Sequence, residues 1–142
     1  MNSEQIKHLE FIQNVINRMN ANSFQMKSWM ITIVSALLAL YASSSNVSYI
    51  FIAIAPTIVF WWQDAYYLQQ ERKFRGLYND IVIGNDIRLF AMPIDNYKGG
   101  FYCYFRSLFS KTVGLLYGSI GILLLIAGLI IKYKDCLIIC KC

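Results

Sequence analysis

Three observations on the 142-residue sequence predict an all-α membrane protein. Its expected parts are three transmembrane helices, an amphipathic N-terminal helix, and a long second helix extending into the cytoplasm. The first observation is composition. Apolar residues make up 57% of the chain and charged residues 15%, and mean hydropathy is +0.44. A soluble chain of this size keeps too large a fraction of its surface in water to hide that much apolar matter. The second is a pair of charge-free runs, 28–63 and 112–131, of the kind the bilayer selects. The third is a polar leader with helical periodicity. Together they exclude intrinsic disorder, a disulfide-rich miniprotein and a two-domain enzyme.

The leader spans residues 3–22. Ile6, Leu9, Ile12, Ile16 and Met19 recur at spacings of three and four, with Phe11 and Val15 widening the stripe. That is one apolar helical face. It suits the membrane surface, a seam with a second copy, or a helix packed on its own protein. Leu9, Ile12, Ile16 and Met19 are the oligomer contacts expected from it. Asn22 followed by Gln25 has capping-box spacing and predicts a fresh helix start. No secretory signal is expected, because the apolar run follows a polar, acid-containing leader.

The 36 uncharged residues of the first run would measure roughly 54 Å as one helix, against about 30 Å of hydrocarbon. The chain must fold back, and the SSSN stretch at 43–46 is the turn. The first span is then 24–42 and the second 47–62. Trp29, Tyr41, Tyr49, Trp61 and Trp62 lie near the span ends, as an aromatic belt requires. The second helix is expected to continue to 78, kinked at Pro56, because no further helix breaker appears before Gly76.

Residues 79–110 form a cytoplasmic loop in this reading. IVIG and IRLF are weak strand signals there, and FYCYF is an interfacial aromatic stretch. The third span, 112–131, is bounded by Lys111 and Lys132. A tail, 132–142, carries Cys136, Cys140 and Cys142, while Cys103 is separate. The tail spacing lacks the paired ligands of common zinc modules, and no histidine is nearby, so no metal site is expected. Disulfide formation, lipidation and plain apolar packing remain open for these cysteines.

The net charge is +5. The excess fits anionic lipid and the positive-inside rule better than nucleic acid. With three spans, Lys7, Arg18, Lys27, Arg72, Lys73, Arg75, Arg88, Lys98, Arg106 and Lys111 fall on one side. Lys132, Lys134 and Lys141 fall on the other. The N-terminus is therefore expected in the cytoplasm. Arg72, Lys73 and Arg75 lie just beyond the interface and are expected to hold anionic headgroups or an anionic trigger, or simply to orient the chain.

Nothing points to an enzyme or a cofactor. His8 is the sole histidine and reads as a surface residue. No phosphate-binding loop, HExxH or CxxC is present. Asp64 follows two tryptophans at the membrane edge. It reads as an interfacial ion pair with Arg18, Lys27 or Lys111 rather than as a proton relay. Gly114 and Gly118 form a GxxxG step that permits close helix approach, within the chain or between copies.

The stretches HLEFIQNVINRMNANSFQMKSWMITIVSALLAL, FWWQDAYYLQQERKFRGLYNDI and FRSLFSKTVGLLYGSIGILLL span nearly the whole chain. Together they resemble a widespread family of small bacterial three-span membrane proteins. The layout is also similar to SLATT-type antiphage membrane effectors. The resemblance implies a homo-oligomeric effector that permeabilises the inner membrane during antiviral defence by abortive infection. Its trigger would be a signal nucleotide, a partner protein such as a TIR enzyme, or a phage component. The alternative is a membrane anchor or scaffold subunit that recruits a soluble enzyme.

Overall fold

The computed structural model describes residues 3–85 and 87–139, the last six as backbone only. Helix α1 runs Ser3–Ser44, α2 Ser48–Ile52, α3 Ile54–Ile83, α4 Tyr104–Leu108 and α5 Val113–Ile139. Two single 3-10 turns, Ile94–Asn96 and Gly100–Tyr102, interrupt the connection from α3 to α4. No strand occurs among the described residues. The IVIG stretch is the last turn of α3, and IRLF lies in the following loop.

Helix α1 is continuous through 20–23, which corrects the expected restart at Asn22. At 1.5 Å per residue it is roughly 63 Å long. Its largest packing partner is α3, and the two run antiparallel. They bury two separate cores. One contains Ile12, Val15, Ile16, Phe74 and Leu77. The other joins Met30 and Val34 of α1 to Ile50, Ala65, Leu108, Val113, Tyr117 and Leu124. The first makes a stalk from the amphipathic half of α1; the second holds the apolar helices together. The stripe expected to contact a second copy packs, within one chain, in the stalk. Leu9, Ile12 and Ile16 are buried and Met19 packs against the same core, all within one chain.

The second helix is interrupted at Ala53, giving α2 and α3, although Ala53 keeps helical backbone angles and its N–H still bonds the Tyr49 carbonyl; the interruption falls in the turn before Pro56, where the missing N–H removes a bond. Helix α3 then runs five residues past the expected end at 78 and stops at Gly84. That residue adopts φ +95°, which glycine tolerates and other residues resist. Two helices are long and apolar enough to cross a membrane: α1, and α5 over Val113–Tyr133. The interrupted α2–α3 segment does not meet that test as a single helix.

Gly76 explains how the 97–102 segment docks on α3. A Cβ at this position would lie 2.6 Å from the Tyr102 hydroxyl and 2.9 Å from the Tyr97 ring. Two tyrosine rings packed edge to face thus sit directly on the helix backbone. Gly76→Ala should dislodge them, at about 1–3 kcal/mol for overpacking. Increased protease cleavage between residues 84 and 103 would register it.

Tyr97 also donates a hydrogen bond to Asp80. Desolvation first, then this bond, holds the Tyr97 phenol well above its ordinary value. A raised pKa in the folded state stabilises the docked form below the usual phenol value of about 10. The contribution is lost as pH rises beyond it. Docking of this segment should therefore weaken above about pH 10, and Tyr97→Phe should flatten that alkaline transition when both are followed by tyrosine absorbance.

Candidate functional site: a buried ion pair between the two cores

Ser23 and Lys27 lie one turn apart on α1, and Asp64 faces them from α3. Asp64 is wholly buried. Of the three cations expected near it, Lys27 is the one that reaches it, with Nζ 2.6 Å from Oδ2. The Ser23 hydroxyl donates to the other carboxylate oxygen. Lys27 Nζ also donates to Ser23 Oγ at 2.7 Å and reaches the Ser23 carbonyl at 3.4 Å. The carboxylate thus has a cation on one oxygen and a hydroxyl on the other. Such pairing is what a buried charge requires. The Tyr117 hydroxyl, from α5, approaches the same carboxylate but outside hydrogen-bond geometry. Three helices therefore converge on one charge.

Ser23 lies inside the 22–25 stretch, where the helix continues. Ser23 acts across the helix pair rather than on its own backbone. A cleft of about 330 Å³ opens beside the pair and is lined by Asn20, Phe24, Lys27, Leu68, Glu71 and Thr112. Lys27 is the partly exposed member, at 22% of its side-chain surface, so the cation contacts the cleft while the anion does not.

The basic trio of the exit segment does not converge on one point. Arg75 pairs with Glu71 at 2.8 Å on an exposed surface, a contact of small energetic weight. Arg72 instead engages the 100–108 segment. It donates to Ser107 Oγ at 3.2 Å and approaches the Phe101 carbonyl at 3.4 Å. Its guanidinium lies 4.5 Å from the centre of the Phe101 ring. Desolvation and the neighbouring Arg106 lower the Arg72 pKa. Lys73 forms no part of either group. Arg106 is the member sequence reasoning missed, because 34 residues separate it from Arg72 and no local spacing links the two.

The glycines of α5 divide by environment. A Cβ on Gly114 would lie 3.2–3.3 Å from the backbone of Leu108 and Phe109, so this glycine serves the turn from α4 to α5. Gly128 accommodates the Phe51 ring of α2 in the same way. Gly118 and Gly121 face open space. His8 is 1% exposed, which corrects the surface reading. It packs 5.7 Å from the Phe90 ring, and its Nε2 has no hydrogen-bond partner among the described residues. No group of metal-ligating side chains occurs among the described residues. Cys103 is a free thiol. Cys136 lies on α5, and Cys140 and Cys142 lie outside the described residues.

Fold and site define an all-helical protein with two helices able to span a membrane and a buried ion pair where its apolar and stalk cores meet. Comparison with protein-family models, with curated proteins and with solved structures finds no match.

Proposed function

We propose that this chain is a multi-pass membrane effector whose copies assemble and permeabilise the bacterial inner membrane. The N-terminus and stalk lie in the cytoplasm. The apolar half of α1, the α2–α3 segment and α5 make the three crossings. The observation that carries the reading is the outer surface of α5. Leu115, Ile122, Ile126 and Leu129 project from one helical face and are all exposed, on a helix whose hydropathy reaches 2.4. In water that face would be a liability; lipid and a second copy both satisfy it. The effector role rests on the resemblance in layout to SLATT-type proteins. The trigger, whether a signal nucleotide, a TIR-like enzyme or a phage component, would act from the cytoplasmic side.

A bundle of three helices is too narrow to enclose a water-filled path, so leakage needs several copies. Gly118 lies at the edge of the exposed α5 face and faces open space in its own chain. Gly118→Leu is expected to lower crosslinked oligomer and dye leakage together, since the larger side chain separates the seam. Each loss of about 1.4 kcal/mol there lowers association tenfold. Chemical crosslinking in membranes beside a dye-release assay measures both. A protein that leaks as a monomer would sink the assembly reading. One that never leaks but retains a soluble enzyme would support the anchor reading.

A further inference from the structure

Two arginines approach the Phe101 ring. The Arg72 guanidinium lies 4.5 Å and the Arg106 guanidinium 5.9 Å from the centre of its ring. Neither arginine has a carboxylate partner among the described residues. Glu71, the acid nearest Arg72 in sequence, is engaged by Arg75. Cation–π attraction to one shared ring offsets part of the repulsion between the two groups, and Glu71, in direct contact with Arg75, offsets part of the Arg72 charge at longer range.

The surroundings are not those of an ordinary solvated basic patch. Helix α4 buries Ser107 and Leu108 against the bundle. Phe105 and Phe109 project outward, at 68% and 70% exposure; Trp61 packs edge-on against Phe109, and Trp62, the next residue, is 59% exposed. The Tyr104 hydroxyl fixes this collar by donating to the Trp62 carbonyl at 3.0 Å, and Trp61 Nε1 donates to the Leu108 carbonyl at 2.9 Å. The chain enters the apolar helix α5 five residues after Leu108. Cationic groups therefore sit immediately beside a rim of aromatic side chains at the base of a helix apolar enough to cross a membrane.

We propose that Arg72 and Arg106 clamp the phosphate of an anionic phospholipid whose acyl chains lie against Phe105, Phe109 and Trp62. Two guanidiniums supply the donor geometry that phosphate prefers. The outward phenylalanines supply a surface that a soluble phosphate ester would leave bare. Headgroup and tails are thus both accounted for, which singles out an amphiphile. The site rests on the membrane reading above in one respect, that α5 enters the bilayer beyond Lys111.

The test uses the full-length chain in phosphatidylcholine vesicles. Trp29→Phe leaves Trp61 and Trp62 as the only tryptophans, and quenching by brominated acyl chains then reports lipid at the collar. Brominated phosphatidylglycerol should quench to a plateau at roughly one tenth the mole fraction needed by brominated phosphatidylcholine, given the energy of basic residues near anionic headgroups. Arg72→Gln with Arg106→Gln should erase that preference. Arg106→Gln alone, at an exposed position, should reduce it without touching the fold. Lys111→Gln should leave most of it, and Phe105→Ala with Phe109→Ala should weaken it.

Equal quenching by the two lipids, or an unchanged preference in the double arginine variant, would overturn the proposal. So would relief of quenching by soluble glycerol phosphate, which would show that the headgroup alone is read. Alkaline extraction is the separate check on embedding: release of the protein would refute the membrane reading, while lipid preference is still scored on the vesicles.

Discussion

Lys27→Met is expected to destabilise the folded protein by about 3–5 kcal/mol, the loss typical when one member of a buried ion pair is removed. Asp64 is wholly enclosed, and without Lys27 its remaining hydrogen-bond partner is Ser23. The reverse change should cost less. After Asp64→Asn, the partly exposed Lys27 can turn toward the cleft and water, and the oxygen of the introduced carboxamide can still accept from Ser23. Lys27→Met combined with Asp64→Leu removes both charges and should recover most of the loss. Loss of helical signal on titration with a denaturing detergent measures all three. Equal losses for the two single changes would mean that both charges are solvated, contrary to the burial of Asp64. A double variant no better than Lys27→Met would mean that the pair fixes the register of α1 on α3 as well as neutralising a charge.

The same pair shows why the sequence was legible in some places and opaque in others. Charge-free runs and turn residues foretold the order of the apolar helices, because bilayer thickness limits a run without reference to tertiary contacts. The stripe at Leu9, Ile12 and Ile16 foretold a one-sided helix, but the partner was not written into it. That partner is Phe74 and Leu77, more than fifty residues away. Asn22 and Gln25 read as a helix start because short polar side chains compete for nearby backbone groups. In the folded chain Ser23, between them, serves Asp64, 41 residues on, and the helix continues. Pro56 was legible as the place where this helix is perturbed, and the interruption at Ala53 lies one turn before it. Gly76 carried no local signal at all, since its need for a missing Cβ arises from tyrosines 21 and 26 residues away. The Arg72–Phe101–Arg106 group was opaque for the same reason: sequence spacing favoured Lys73 and Arg75, which helix geometry sends elsewhere.

Ile12→Ala is expected to cost about 2–4 kcal/mol and to loosen the stalk while sparing the apolar core. Ile12 is 0% exposed and packs with Leu77, which is also 0% exposed, at the centre of the α1–α3 pair. Removing the larger side chain leaves a cavity walled by Val15, Phe74 and Leu77 and by residues of the 87–97 segment, which limits how far the site can collapse. Leu77→Ala should have a similar effect, and the two losses should not add because the residues share one cavity. Hydrogen exchange read separately over 5–20 and 113–130 should show faster exchange in the first and little change in the second. Protein concentration separates this packing from the alternative inherent in the leader sequence. A seam between copies would make the midpoint of stalk unfolding rise with concentration. Packing of α1 on the α3 of its own chain makes it constant. A concentration-dependent midpoint in the parent, weakened by Ile12→Ala, would return Leu9, Ile12, Ile16 and Met19 to the role of oligomer contacts.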